Sequence, residues 1–247
     1  MTTGLWYYFD MNSNILKTVQ KRLIESIDEK TQNTYQRFFK EQVLFHGVKM
    51  GVVSKLAAEF YKQIRDLSKN EIFILCEELL KTDYSEEAAI AFKWAYRLNK
   101  QFEPDDFYLF ETWLEKYVNT WAKCDEFCNH TIGTVVERYP EHVHDLKLWA
   151  GSGNRWMRRA SAVTLIIPAR RGSFLDDVFE IVDILLLDED DLVRKGYGWM
   201  LKESSRLHQR EVYDYVLKNK AVMPRVALRY AIELMPQEMR KAAMSKD

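Results

Sequence analysis

The sequence predicts an all-α fold of the α-solenoid type, a curved stack of antiparallel helical hairpins. Three observations carry that expectation. Glycine and proline are scarce, nine and five in 247 residues, whereas a sheet-rich chain needs turn residues at short intervals. Apolar residues recur at the amphipathic-helix period almost throughout. Helical segments also resemble one another, with Arg158 and Arg194 in matching places 36 residues apart. A period of that length is the mark of a repeat in which each hairpin forms one unit.

The elements follow in chain order. "NILKTVQKRLIESI" (14–27), "VVSKLAAEFYKQIRDL" (52–67), "NEIFILCEELLKT" (70–82) and "EEAAIAFKWAYRL" (86–98) each read as amphipathic helices. The same period continues over 104–118, 120–138, 154–167, 173–187, 190–206 and 208–219, with shorter pieces after 223. Ser54, Asn70, Ser85, Asn154 and Asp190 are the expected caps. "NRWMRRASAVTLI" (154–166) and "DDLVRKGYGWMLK" (190–202) share a polar start, an apolar pair and two bases, and "MPRVALRYAIELM" (223–235) is a looser third copy. A hairpin cannot bury its apolar face alone, so neighbours stack and the inner helices line a concave wall. Arg158/Arg159 and Arg194/Lys195 would form a basic row along it, suited to a phosphate backbone. Nothing reads as a linker, so residues 1–247 are expected to form a single domain.

Net charge is −1, from 36 basic and 37 acidic residues, which argues against a protein basic all over. The charge is sorted by segment. Residues 151–171 hold five Arg and no acid, 173–192 hold eight acids and no base, and the chain from 193 onward is basic again. One basic surface is therefore compatible with a neutral total. No apolar run reaches the ~20 residues that span a bilayer, and "MTTGLWYYFDMNSN" lacks a leader pattern. Three cysteines, Cys76, Cys124 and Cys128, make no disulfide framework. The expectation is a reduced, cytoplasmic protein.

"NTWAKCDEFCNH" (119–130) gathers the most chemistry. With Asn119 or Thr120 as cap, Cys124, Cys128, Ile132 and Val135 fall on one helical face, spaced for core. Trp121 and Asp125 stand four residues apart at the edge of that face. A metal would need Cys124, Cys128 and His130, but C-x3-C-x-H is not a zinc pattern. "HVH" (142–144) reads as surface. No nucleophile elbow, P-loop, H-E-x-x-H or dinucleotide fingerprint occurs. "FHGVKMG" (45–51) reads as a plain helix–helix turn.

"NTWAKCDEF", "NRWMRRASAV" and "VRKGYGWMLKE" together resemble the DNA alkylation repair family of HEAT-like-repeat alkylpurine DNA glycosylases, over most of the chain from residue 35. The resemblance implies a HEAT-like solenoid that wraps double-stranded DNA and removes cationic alkylated purines such as 3-methyladenine and 7-methylguanine. It implies a monomer, without metal or organic cofactor and away from the membrane. The family's inner-helix Trp and catalytic Asp fall on Trp121 and Asp125, its conserved-type Arg on Arg159, and its second cleft Trp on Trp199. Its early tyrosine falls near Phe38, where the hydroxyl is lost, and Lys49 falls where the family approaches the DNA backbone.

The chemistry fits those residue types. A purine alkylated at N3 or N7 is already cationic and leaves without a general acid. A carboxylate, here Asp125, can stabilise the oxocarbenium-like sugar and orient a water, while Trp121 and Trp199 cradle the sugar and lesion. Arg159 and Lys195 are expected at phosphates, with Arg194 and Lys202 as further DNA contacts. Arg158 is expected to pair with an acid of the next repeat. Two other readings stand beside this one: a non-catalytic HEAT-repeat binder of damaged or branched DNA, and a protein-interaction scaffold.

Overall fold

The computed structural model describes residues 3–245; Met1 and Thr2, which open the stretch read above for a leader, lie outside them. Every regular element among the described residues is helical, as the shortage of turn residues requires. No helix among them is long and apolar enough to cross a membrane. The chain divides into two compact units, one ending at Phe102 and one beginning at Glu103.

The first unit holds α1 (Thr3–Ile24), α2 (Glu29–Thr34), α3 (Met50–Ile64), α4 (Lys69–Lys81) and α5 (Ser85–Arg97). Its core is the apolar stripe of α1, α3, α4 and α5: Val19 and Leu23, Val53, Leu56 and Phe60, Ile72, Leu75 and Leu79, Ile90 and Trp94. The Trp94 indole N–H donates to the Ala57 carbonyl at 2.9 Å, so its one polar atom is satisfied. The helix starts differ from the expected caps. Helix α4 is capped two residues earlier, where Ser68 and Glu71 exchange the reciprocal bonds of a capping box. Helix α3 begins at Met50, upstream of Ser54, and Ser85 is the first residue of α5 rather than its cap.

The stretch expected to be a plain turn at 45–51 is a clasped loop. Glu86, fully buried, accepts backbone N–H groups from Gly47 at 2.8 Å, Val48 at 3.0 Å and His46 at 3.0 Å. Glu87 meets the His46 ring at 2.9 Å. Gly47 has φ of 96°, and a Cβ there would lie 2.6 Å from the Gln32 Cβ. Only glycine fits that position.

The second unit holds α6 (Asp106–Tyr117), α7 (Trp121–Glu126), a π-helical turn (Phe127–Ile132), α8 (Gly133–Arg138), α9 (Val143–Ala150), α10 (Arg155–Val163), α11 (Ile166–Arg170), α12 (Leu175–Leu185), α13 (Asp191–Ser204), α14 (Gln209–Asn219), α15 (Arg225–Ala231) and α16 (Gln237–Met244). Helix α7 packs on α10, α10 on α13, and α13 on α15. Helices α10, α13 and α15 are those that carry the related sequence segments. Close approach is built in at Gly198, where a Cβ would lie 2.8 Å from the Tyr230 Cβ and 2.9 Å from the Ala227 carbonyl oxygen.

Two segments depart from the periodicity. The single helix expected over 120–138 contains the π turn just after Asp125, and the Asn129 side-chain amide donates to the Asp125 carbonyl at 3.0 Å where the ladder changes register. The helix expected over 154–167 ends at Val163, and α11 starts anew at Ile166. Pro168 explains the break: it has no N–H and sits comfortably only in a first turn. Asn154 and Asp190 cap α10 and α13 as expected, accepting from Trp156 N and Leu192 N.

Candidate active site

Helix α7 presents Asp125 through simple local rules. Thr120 caps it by accepting from Lys123 N at 3.3 Å, so the helix begins at Trp121. Cys124 and Cys128 then turn inward and are fully buried; all three cysteines are free. They are core, as their spacing implied. Burial pushes the Cys124 thiol well above its ordinary range, and the neighbouring Cys128 adds to the rise. Such a thiol is inert at neutral pH. Trp121, one turn before Asp125, is half-buried.

Asp125 meets Arg159 of α10 in a two-pronged ion pair. Arg159 Nε donates to Oδ1 at 2.8 Å and Nη2 to Oδ2 at 2.8 Å. The guanidinium also donates from Nη1 to the Leu192 carbonyl at the start of α13. Three successive helices of the packed row therefore converge on one ion pair. The side chain of Arg159 is 6% exposed and that of Asp125 is 16% exposed. Gly196 lies beside the guanidinium: a Cβ there would stand 3.4 Å from Arg159 Nη1, an ordinary contact. Arg159 thus holds a carboxylate, where the reading of the basic row expected a phosphate.

Burial raises the Asp125 carboxyl above its ordinary value, and the Arg159 guanidinium opposes the rise. A forked, charge-assisted pair of this geometry favours the ionised form. Two of roughly four lone-pair sites are taken by Arg159. The remainder, on a side chain with some exposure, can accept from a water or face a developing cation.

The other expected residues fall as follows. Trp199 lies on α13, half-buried, its indole donating to Glu203 at 3.3 Å. Lys195 pairs with Asp191 at 2.7 Å, and Lys202 with Glu233 at 2.7 Å. Arg158 forms a two-pronged pair with Asp188, the acid of the next hairpin, at 2.5 and 3.4 Å, and Arg194 donates to the Asp188 carbonyl. Each of these bases carries a protein acceptor. Phe38 and Lys49 belong to the first unit. Phe38 is 68% exposed, and Lys49 precedes α3 and pairs with Asp28 at 2.7 Å; that lysine and Thr31 hold the Asp28 carboxyl well below the usual range. Such exposed pairs are worth little and exchange readily for another anion.

His142, read as surface, is instead buried. It bonds Asp145 and the Pro104 carbonyl and stacks on Phe107 with ring centroids 4.1 Å apart. His130 and His144 are exposed. Among the described residues no group of three or more His, Cys, Asp or Glu is placed to hold a metal.

Sequence reasoning missed Gly196, the Leu192 carbonyl and Glu203. Glu203 carried a visible signal: it is a lone acid four residues after Trp199 in "WMLKESSR".

Comparison with known proteins adds an independent line. A family model described as DNA alkylation repair enzyme matches residues 19–235. The chain is similar in structure to a predicted DNA alkylation repair enzyme from Enterococcus faecalis, with a TM-score of 0.76 at 16% identity, covering 86% of this chain and 98% of that one. At that identity the likeness is one of fold. No curated protein matches the chain.

Proposed function

The chain belongs to the DNA alkylation repair enzyme family, and from that premise we propose that it is a DNA glycosylase excising cationic alkylated purines from duplex DNA. We read the packed row α7, α10, α13 and α15 as the inner wall of a HEAT-like α-solenoid. The observation that carries the proposal is the forked Asp125–Arg159 pair, a carboxylate buried and oriented by a guanidinium at 2.8 Å on both oxygens.

The reaction follows from that geometry. The bond between sugar C1′ and the purine nitrogen breaks, and its electron pair leaves with the base, which departs neutral because it was cationic. Positive charge builds on the sugar, where the Asp125 carboxylate stabilises it. Water adds at C1′ and loses one proton, with Asp125 orienting it. Arg159 acts as a positioning residue, fixing the carboxylate through two bonds so that it does not rotate away. Trp121, one turn along α7, and Trp199 on α13 offer aromatic faces to the sugar and the cationic base. Lys195, Lys202, Arg194 and Lys49 supply backbone contacts, each exchanging its present acceptor for a phosphate. Phe38 offers an exposed apolar ring to the duplex.

The test is release of free base from duplex DNA methylated at purine N3 and N7, followed chromatographically. The proposal expects 3-methyladenine and 7-methylguanine in the soluble fraction. Salt-dependent duplex binding with no base released would replace it with the non-catalytic binder.

A further inference from the structure

We propose that Arg170 and Arg206, organised by the buried carboxylate of Glu203, form a phosphate subsite for the DNA strand that passes Trp199. The inference rests on the DNA-binding reading above and adds a place to it.

Glu203 is 4% exposed at its side chain. Its Oε1 accepts from the Trp199 indole at 3.3 Å. Its Oε2 accepts from Arg170 Nε at 2.7 Å and from Arg206 Nε at 2.6 Å. One buried acid therefore holds an aromatic of the candidate site and two arginines at once. Burial pushes its carboxyl up, but the bonds from Arg206 and Arg170 outweigh that and keep it below its ordinary range.

The two arginines differ from those that grip both oxygens of a carboxylate. Arg158 and Arg159 each close a fork on a carboxylate with Nε and Nη2, and Arg171 reaches both oxygens of Glu137 with Nη1. Arg170 and Arg206 give Glu203 only their Nε. Among the described residues no acceptor meets their Nη groups. Their side chains are 48% and 45% exposed. Two guanidiniums thus converge on one oxygen, leave their Nη groups on half-exposed side chains and carry one positive charge in excess of the acid. That is the donor arrangement a phosphodiester oxygen pair takes. Position agrees: Trp199, Glu203 and Arg206 succeed one another at steps of four and three residues, one side of α13. A strand whose sugar lies on Trp199 has a phosphate within reach of this pair.

The experiment measures affinity for a methylated duplex against salt concentration by fluorescence anisotropy, for wild type, Arg170→Gln and Arg206→Gln. Each single variant leaves the other arginine on Glu203, so the buried acid is never orphaned. Lys21→Gln, a change at an exposed lysine of α1 (75% exposed), controls for bulk charge. Loss of a phosphate contact lowers the steepness of log K against log salt by about 0.9. The subsite predicts that fall for either arginine variant, with several-fold weaker binding, and a retained slope for Arg170→Lys and Arg206→Lys. If the arginine variants keep their melting temperature and show the same slope as Lys21→Gln, the subsite is refuted. If wild type itself binds the duplex without salt dependence, the DNA reading falls first, and the subsite with it.

Discussion

Replacing Arg159 with methionine isolates what the guanidinium does for Asp125. Methionine fills similar space but can donate neither to the carboxylate nor to the Leu192 carbonyl. A unit-charge pair about 4 Å between centres, at an effective dielectric near 20, interacts by about 4 kcal/mol. Asp125 keeps 16% of its side chain exposed, so water recovers part of that, leaving about 2–3 kcal/mol. As a loss of transition-state organisation this corresponds to a roughly 30- to 150-fold slower reaction at neutral pH. The pH dependence separates mechanism from damage. Burial already raises the Asp125 carboxyl, with Arg159 opposing; without Arg159 the rise is unopposed. The acid limb of the rate profile should move to higher pH in Arg159→Met, and activity should partly recover as the solution turns alkaline. Stability obeys the same linkage. A carboxyl raised in the folded state contributes stability that is present below the unfolded carboxylate range and lost as pH rises through the folded value. The variant should therefore lose more stability than wild type as pH rises above the ordinary carboxylate range. Single-turnover base release over that rise in pH, with denaturant unfolding at both ends, reads both effects. A uniformly slower enzyme with an unmoved acid limb would refute the positioning role.

Two further predictions concern the frame. Gly198→Ala drives a Cβ to 2.9 Å from the Ala227 carbonyl oxygen, so thermal melting should show a net loss of about 1–3 kcal/mol despite the helix-propensity gain; Gly196→Ala meets only ordinary contacts and should be neutral or slightly stabilising. Glu86→Ala strips the acceptor from three backbone N–H groups of the 46–48 loop and should cost about 3–5 kcal/mol in chemical denaturation; a loss below about 1 kcal/mol would show that water replaces the carboxylate.

How much of this was legible before folding depends on the range of the interaction. Helical class, the core role of Cys124 and Cys128, and the caps Asn154 and Asp190 follow from local periodicity and side-chain chemistry, and all appear in the structure. The Arg158–Asp188 pair was also readable, because repeat register places a base of one hairpin near an acid of the next. Caps farther back were misplaced because Ser68–Glu71 and Asn70 compete within three residues, and only the reciprocal bonds decide between them. The Asp125–Arg159 fork was hidden: its partners are 34 residues apart, and the basic-row reading placed Arg159 at a phosphate rather than at an acid. The π turn was hidden too, since its apolar pattern differs from an α-helix by one residue. His142 reads as surface from its charged surroundings, yet the stack on Phe107 and the Pro104 carbonyl bury it. Glu203 and Glu86 share that lesson. Each is a buried acid with at least one partner from a distant segment, and polar character alone places such residues at the surface.

The central claim is that Asp125 is the carboxylate of a glycosylase. The most direct measurement is single-turnover base release from methylated duplex DNA by wild type and Asp125→Asn, with duplex affinity measured alongside. Asparagine keeps the shape and one acceptor for Arg159 while removing the charge that faces the sugar. The account predicts a rate lower by about 10³-fold, the equivalent of about 4 kcal/mol, with DNA binding retained. Base release within a few-fold of wild type would contradict it and leave Asp125 as a structural partner of Arg159.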